Sequence, residues 1–358
     1  MDAIKAHNGI APCDYCGGKS SPSRVSAPIE VLLELIVDGL RYEYEDPIHQ
    51  MGWDGGYTGD VWDTWDLLWD LGITENEDVH KALANSIVTE AWCQRNPYED
   101  RPAKSLLRGW EAFRQYVKHH RRFTFLVSEP TSQDGAGAIP MHAVPAAISA
   151  AVTDADLIKS IPARSGWWRI RPHDASESYS SATDLGTPPD AVAKDNRMTP
   201  KGIGAFYGAS TSAGARAEVS GYASPSSSGS MGKFYTAAPL TVVDLRVLPG
   251  IPSLFDADRR HLRAPIEFMR GFVKDATKIA DPSDVMNLDY IPTQVVAETF
   301  RYELGADGVL WCSSKDKTVT TCVLFVSSAE VADLGLELSK TKLVLDPKTV
   351  QHITHVAT

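Results

Sequence analysis

Residues 196–218 hold the densest group of side chains that are able to do chemistry. Arg197 precedes a turn rich in proline and glycine, Tyr207 ends a short strand, and Glu218 follows on the next helix or turn. A strand followed by a charged residue on the next helix brings these three side chains around one cleft. Such a cleft would combine a cation for an anionic group, an aromatic ring and a carboxylate.

Further polar residues flank that segment along the chain. Arg169 and Arg171 lie in the strand-like run WRIR, and residues 290–294 (YIPTQ) open a helix. The strand 307–311 runs into a Cys-Ser-Ser turn that contains Ser313. Taken singly, each feature is weak, because an arginine is usually a surface charge and serines after a strand usually form a turn.

The cysteines indicate neither a disulfide scaffold nor a complete metal site. The chain has five cysteines, and one CxxC, Cys13 and Cys16, is followed by two glycines as in a zinc knuckle. Structural zinc needs four ligands, and no second CxxC or CxxH follows. His7 or His49 would be needed to complete the site. A reduced thiol pair in a turn is the simpler interpretation, so we predict no metal.

The composition excludes several classes of protein. The chain has 358 residues, of which 43% are hydrophobic and 23% charged, and this balance is typical of globular proteins. A net charge of −11 repels phosphate backbones, so general nucleic-acid binding is not expected. No segment approaches the ~20 apolar residues that span a bilayer, and no apolar signal-peptide core is present. We therefore expect a cytoplasmic protein with no membrane partner.

The first part of the chain has helical periodicity. Apolar residues recur at helical spacing in 31–36 and 104–120, and the tryptophans of 62–69 follow at steps of three and four. These stripes predict a small helical domain over residues 1–126, in which the aromatic side chains form the core. A stretch rich in proline, glycine and alanine then predicts a linker over residues 127–158.

Residues 159–358 have a different character. Short strand-like runs, separated by turn residues, occupy 167–170, 205–207, 240–245, 308–312, 320–325 and 342–345. Helical runs cover 262–278 and 294–304, and the low-complexity segment 220–232 predicts a mobile surface loop. Strands and helices without regular βαβ alternation favour an α+β domain. The predicted fold class is therefore α+β, with an N-terminal all-α domain before a mixed α+β domain.

The order of the motifs resembles the RES domain, a family named for its arginine, glutamate and serine. WRIRP, RMTPKGIGAFYGA, YIPTQVVAE, DGVLWCSS and CVLF follow in the family's order over about residues 160–330. The CDYCGG start and the run 110–125 more loosely resemble the variant with an N-terminal HEPN-like helical domain. The resemblance implies an ADP-ribosyltransferase-like fold and a toxin-like enzyme that consumes NAD+ and releases nicotinamide.

The resemblance also implies a role for each candidate residue. Glu218 would face the positive charge that builds on the ribose as the N-glycosidic bond breaks. Arg197 and Arg169 would clamp the pyrophosphate, with Arg171 as the alternative to Arg169. Tyr207 would stack on the nicotinamide ring, and Ser313 would hydrogen-bond the ribose or a phosphate oxygen.

NAD+ is then the substrate, and no cofactor is predicted. The sequence leaves open whether water, inorganic phosphate or a macromolecule accepts the ADP-ribose. A non-catalytic module that binds a nucleotide or a partner is a further alternative, although the joint presence of Arg, Tyr, Glu and Ser argues against it. Beyond NAD+ and phosphate, the expected partners are a cognate inhibitor protein and a second copy of the chain.

A rival site lies on the helical run 104–120. Arg114 and His119 fit the arginine–histidine pattern of HEPN ribonucleases. Positions five apart on a helix lie about 140° around the axis, so the two side chains share a face poorly. A basic helix end that complements the helix dipole is the preferred interpretation.

Overall fold

The computed structural model describes residues 12–15, 17–18, 28–50, 59–95, 101–125, 139–220, 228–278, 286–354 and 356. The chain divides into two compact units, residues 1–101 with 251–263 and residues 102–250 with 264–358. This division differs from the boundaries at 126 and 159 that the sequence predicts, and those boundaries stay a prediction.

The first unit combines helices with a small sheet. Its helices are α1 (Ile29–Glu43), α2 (Thr64–Asp70) and α3 (Glu77–Ser86). Antiparallel strands β1 (Tyr44–Glu45), β2 (Val61–Asp63) and β3 (Ala91–Gln94) pair in the order β1–β3–β2. Leu40, Leu68 and Trp92 are buried in its core, as the helical stripes predict. The expectation of an all-α domain missed this sheet, because strands of two to four residues are too short for a period-two pattern.

The second unit contains the longer helices and the large sheet. Its helices are α4 (Pro102–His119), α5 (Val144–Asp154), α6 (Ala182–Leu185), α7 (Ser212–Ser220), α8 (Arg263–Ala276) and α9 (Ile291–Tyr302).

Helix α4 packs within the second unit. The Trp110 ring lies 5.0 Å from the Phe272 ring of α8, and its indole N–H donates to Asp275 at 2.8 Å. Helix α5 falls within the predicted linker, yet Ile148 and Val152 are fully buried. Residues 144–154 are therefore a packed helix, since their alanine-rich sequence has helix propensity as well as the composition of a linker.

Among the described residues, nine strands form the large sheet of the second unit. They are β4 (Ile158–Ile161), β5 (Gly166–His173), β6 (Phe206–Ala209), β7 (Ser228–Thr236), β8 (Leu240–Asp244), β9 (Gly308–Cys312), β10 (Thr320–Leu324), β11 (Val331–Asp333) and β12 (Leu343–Ile353). The order is β11–β12–β7–β5–β6–β10–β9–β8–β4. The pairs β8–β9 and β11–β12 are parallel, and the other pairs are antiparallel. Strands and helices mix without βαβ alternation, which confirms the α+β class.

Strand β7 corrects part of the predicted mobile loop. Residues 228–232 of the low-complexity segment belong to this central strand, whereas 221–227 lie outside the described residues. Small residues fit there because the neighbours approach closely. A Cβ at Gly229 would lie 2.6 Å from Val356, and one at Gly232 would lie 2.7 Å from Leu345. Serine and glycine thus indicate tight packing here, although composition alone suggested mobility.

Among the described residues, no helix is both long enough and apolar enough to cross a membrane.

Candidate active site

Glu218 and Ser313 meet between α7 and the end of β9. Ser313 directly follows β9, is 2% exposed, and donates its hydroxyl hydrogen to Glu218 Oε1 at 2.5 Å. The backbone N–H of Lys315 donates to Ser313 Oγ at 3.2 Å, so the serine oxygen also accepts a bond. Ser313 is therefore held from one side and orients the carboxylate on the other, as a positioning group does.

Lys315 is a neighbour that the sequence analysis did not select. Its ammonium donates to the backbone carbonyls of Ala217 and Glu218, the latter at 3.4 Å. These carbonyls belong to the last turn of α7, where a cation stabilises the helix end. Lys315 thus fastens the turn that carries Glu218 to the loop that carries Ser313. A lysine two residues after the serine is the only signal in the sequence.

Tyr207 lies on β6 and holds the preceding turn. Its hydroxyl oxygen accepts a bond from the Met198 backbone N–H at 3.2 Å and is 3.0 Å from the Thr199 hydroxyl. Burial raises the pKa of the Tyr207 phenol above its ordinary value, so the side chain is neutral at physiological pH. The Tyr207 hydroxyl is therefore occupied by hydrogen bonds within the protein, and the ring is the part of the side chain that could contact a ligand.

Arg197 stands on the turn that Tyr207 holds. Its Nη1 donates to the Ala276 carbonyl at 2.8 Å, and the guanidinium lies 5.5 Å from the centre of the Tyr290 ring. Burial lowers the pKa of Arg197, while Tyr290 and Glu218 act electrostatically in the opposite direction. Arg197 therefore interacts electrostatically with the Glu218 carboxylate, and the shared cleft stays a prediction.

Thr293 and Gln294 fix the same turn from the first turn of α9. The Thr293 hydroxyl donates to the Arg197 carbonyl at 2.5 Å. The Gln294 amide donates to the Asn196 carbonyl at 2.8 Å and to Asp195 Oδ1 at 2.7 Å. Sequence reasoning noted the PTQ motif without giving it a role. The sequence feature that could have indicated this role is a pair of polar side chains at the start of a largely buried helix, because buried polar groups need hydrogen-bond partners.

Arg169 and Arg171 lie two residues apart on β5 and so on the same face. Arg169 donates from Nε to the Leu185 carbonyl at 2.8 Å and from Nη1 to the Tyr207 carbonyl at 2.9 Å. Arg171 donates to the Asp184 carbonyl at 2.6 Å, and its guanidinium lies 4.2 Å from the centre of the Tyr179 ring. Of the two, Arg169 is the one that contacts β6. The two hydrogen bonds of Arg169 join β5 to α6 and to β6, so these N–H groups bind the protein itself. The role of Arg169 as a phosphate clamp stays a prediction.

The rival pair on α4 is arranged differently. Arg114 forms ion pairs with Asp275 at 2.8 Å and Glu111 at 2.9 Å, and His119 is exposed at the end of the helix. The guanidinium of Arg114 therefore acts in packing α4 against α8. The two side chains do not form a joint site on this helix.

The structure describes no metal site. Within the described parts of the chain, no group of three or more His, Cys, Asp or Glu residues is arranged to hold a metal ion. Cys16 and His7 lie outside those parts, so the structure does not test whether the CxxC takes part in a zinc site.

Two family models match the chain. The family model for the RES domain matches residues 166–346, and that for HEPN/RES N-terminal domain 1 matches residues 6–131. None of the curated proteins compared with the chain matches it. Among solved structures, a chain of the M. tuberculosis MbcT–MbcA toxin–antitoxin complex is similar at 14% identity and a TM-score of 0.32. That similarity covers 57% of this chain and 91% of the other.

Proposed function

Because the chain belongs to the RES domain family, we propose that it consumes NAD+ by breaking the bond between nicotinamide and ribose. One observation carries the proposal: Ser313 fixes the Glu218 carboxylate at the end of β9, within the electrostatic reach of Arg197. An oriented carboxylate beside a cation suits a substrate that has both a ribose and a pyrophosphate.

The proposed reaction begins with loss of nicotinamide. The C–N bond breaks, its electron pair leaves with neutral nicotinamide, and positive charge builds on the ribose as an oxocarbenium ion. Glu218 stabilises that charge in the transition state, since a carboxylate that is already oriented need not reorganise during the reaction. An acceptor oxygen then bonds to the ribose carbon. Water loses a proton to solvent in this step, whereas an ionised phosphate oxygen has none to lose.

The other site residues act on binding and orientation. Arg197 binds the pyrophosphate through charge-assisted hydrogen bonds, and the Tyr207 ring packs against the nicotinamide. Ser313 donates its hydroxyl hydrogen to Glu218, and we assign this bond to orienting the carboxylate and not to activating a nucleophile. Its proposed role is to hold the carboxylate.

The acceptor is proposed to be water or inorganic phosphate. The test is to incubate the purified full chain with NAD+ and to follow nicotinamide, with and without phosphate and with a protein acceptor. Free ADP-ribose would identify hydrolysis, a phosphorylated ADP-ribose would identify phosphorolysis, and labelled protein would identify transfer to a macromolecule. Intact NAD+ under every condition would contradict the proposal.

An enzyme that destroys NAD+ endangers the cell that makes it. We therefore propose that the chain acts in the cytoplasm and is restrained by a cognate inhibitor protein. The observation to make is whether expression lowers cellular NAD+ and stops growth, with the Glu218→Gln variant as the harmless control.

A further inference from the structure

An acidic, tryptophan-bearing surface occupies α2 and its surroundings. Between residues 42 and 80 the chain carries eleven aspartates and glutamates and no lysine or arginine. Trp65 and Trp69 are four residues apart on α2, and they are 41% and 55% exposed. We call this surface the acidic tryptophan face; its exposed acids are Asp60, Asp63, Asp66, Asp70, Glu75, Glu77 and Asp78.

His80 lies beneath the two tryptophans and is fully buried. Its ring centre is 4.3 Å from that of Trp65 and 5.5 Å from that of Trp69, and its Nε2 is 3.1 Å from the Trp65 carbonyl oxygen. Its Nδ1 has no hydrogen-bond partner among the described residues. Because this nitrogen is buried, His80 supports the two rings from below and is not available to a group at the surface. The exposed indole rings are good acceptors for a guanidinium or an ammonium group.

A surface of opposite charge follows the end of α4. Residues 119–124, His-His-Arg-Arg-Phe-Thr, are all exposed, and Phe123 is 87% exposed. The segment is held at both ends, because Val117 is buried and the buried Phe125 ring lies 5.3 Å from the Phe113 ring. We call residues 119–124 the basic ridge. The dipole of α4 explains why cations lie at the end of this helix. It does not explain the exposed Phe123, which is typical of a surface that binds a partner.

We propose that the acidic tryptophan face of one copy of the chain binds the basic ridge of a second copy. The two surfaces have opposite charge. The ridge presents guanidinium groups, and the face presents the carboxylates and indole rings that bind such groups. Arg121 and Arg122 would meet the carboxylates and the indole rings of Trp65 and Trp69, while Phe123 adds apolar contact. The contact joins two unlike surfaces, and it is independent of the enzymatic activity proposed above.

Sedimentation velocity of the full-length chain over a range of concentrations tests the proposal. We expect association at low ionic strength that weakens as salt is added, because exposed charges carry the contact. Both Arg121→Glu/Arg122→Glu and Trp65→Ala/Trp69→Ala should weaken association about ten-fold or more, with unchanged circular dichroism. The Lys340→Glu/Lys348→Glu variant makes the same charge change at other exposed positions and should associate like the wild type.

A charge-exchange experiment separates contact between two copies from contact within one chain. Arg121→Glu/Arg122→Glu makes the ridge acidic like the face, and Asp66→Lys/Asp70→Lys places lysines next to Trp65 and Trp69, where the arginines of the ridge would bind. Each variant alone should therefore be largely monomeric. A mixture of the two variants should associate, because the unchanged face of the arginine variant meets the unchanged ridge of the aspartate variant in a different chain. A wild-type chain that is monomeric at low ionic strength would overturn the proposal. So would association that the arginine variant leaves unchanged, or a mixture that stays monomeric.

Discussion

Two parts of the second unit carry residues with catalytic potential, and their geometry differs. Around Glu218, side chains converge from α7, from the loop after β9 and from the turn before β6. On α4, Arg114 and His119 belong to one helix, with the arginine paired to Asp275 and the histidine exposed.

The difference shows why spacing within one element is a weak guide to a site. A helix separates positions five apart around its axis, whereas a sheet and its loops bring distant segments to one point. The residues around Glu218 are up to about a hundred positions apart in the chain, yet they share hydrogen bonds. The following predictions test this contrast, from the largest expected effect to the smallest.

Glu218→Gln should reduce NAD+ cleavage on the order of a hundred-fold or more, because it keeps the shape and removes the charge that faces the ribose. Nicotinamide release measures the effect, and the thermal unfolding midpoint should stay unchanged. Glu303→Gln, on an exposed glutamate, is the matched control and should retain full activity. Wild-type turnover in Glu218→Gln would show that this carboxylate is not catalytic.

Arg197→Ala should weaken NAD+ binding by one to two orders of magnitude, since charge-assisted hydrogen bonds contribute roughly 1.5–3 kcal/mol. Calorimetry of NAD+ binding measures it, with Lys201→Ala as a control that removes an exposed charge from the same turn. Normal affinity in the Arg197 variant would mean that the guanidinium only supports the fold. A large drop in melting temperature would point to the bond with Ala276 as its main role.

Ser313→Ala should lower kcat about ten-fold with little change in KM, because the carboxylate stays charged but loses the hydroxyl that orients it. Steady-state kinetics separate the two constants. Ser314→Ala changes the adjacent serine and should behave like the wild type. If Ser313 instead bound the substrate directly, KM would rise while kcat changed little.

His119→Ala should leave NAD+ cleavage near normal, because the exposed imidazole does not belong to the site around Glu218. Arg114→Ala should destabilise the fold by about 1 kcal/mol, since it breaks a partly buried ion pair with Asp275. Urea unfolding measures the second effect. A well-folded His119→Ala protein that lost both NAD+ cleavage and an RNA-degrading activity would move the active site to α4.

Several features of the fold could be predicted because their signals are local. Periodic apolar residues predicted α4, α8 and α9 to within a few residues, and short apolar runs predicted β5, β6, β8, β9 and β10. Strand β7 could not be predicted in this way, since its serines and glycines look like a loop until its neighbours in the sheet are known.

In the candidate site, too, local signals could be predicted and contacts between distant residues could not. The order of motifs selected Arg197, Tyr207, Glu218 and Ser313; the structure places Ser313 in contact with Glu218, and the catalytic roles of all four stay predictions. The part played by Thr293 and Gln294 could not be predicted, because a side chain that supports a turn is recognised only by its hydrogen-bond partners.

The sequence by itself determined the α+β class, the RES family membership and the residue types available for chemistry, because composition, periodicity and motif order are properties of the chain. Only the tertiary structure decided that α4 and α5 pack within the second unit, that donors of Arg169 bind main-chain carbonyls, and that Lys315 fastens α7. These outcomes depend on which distant groups meet. A guanidinium or an apolar stripe has the same sequence signature whether it faces a ligand, a backbone carbonyl or another helix.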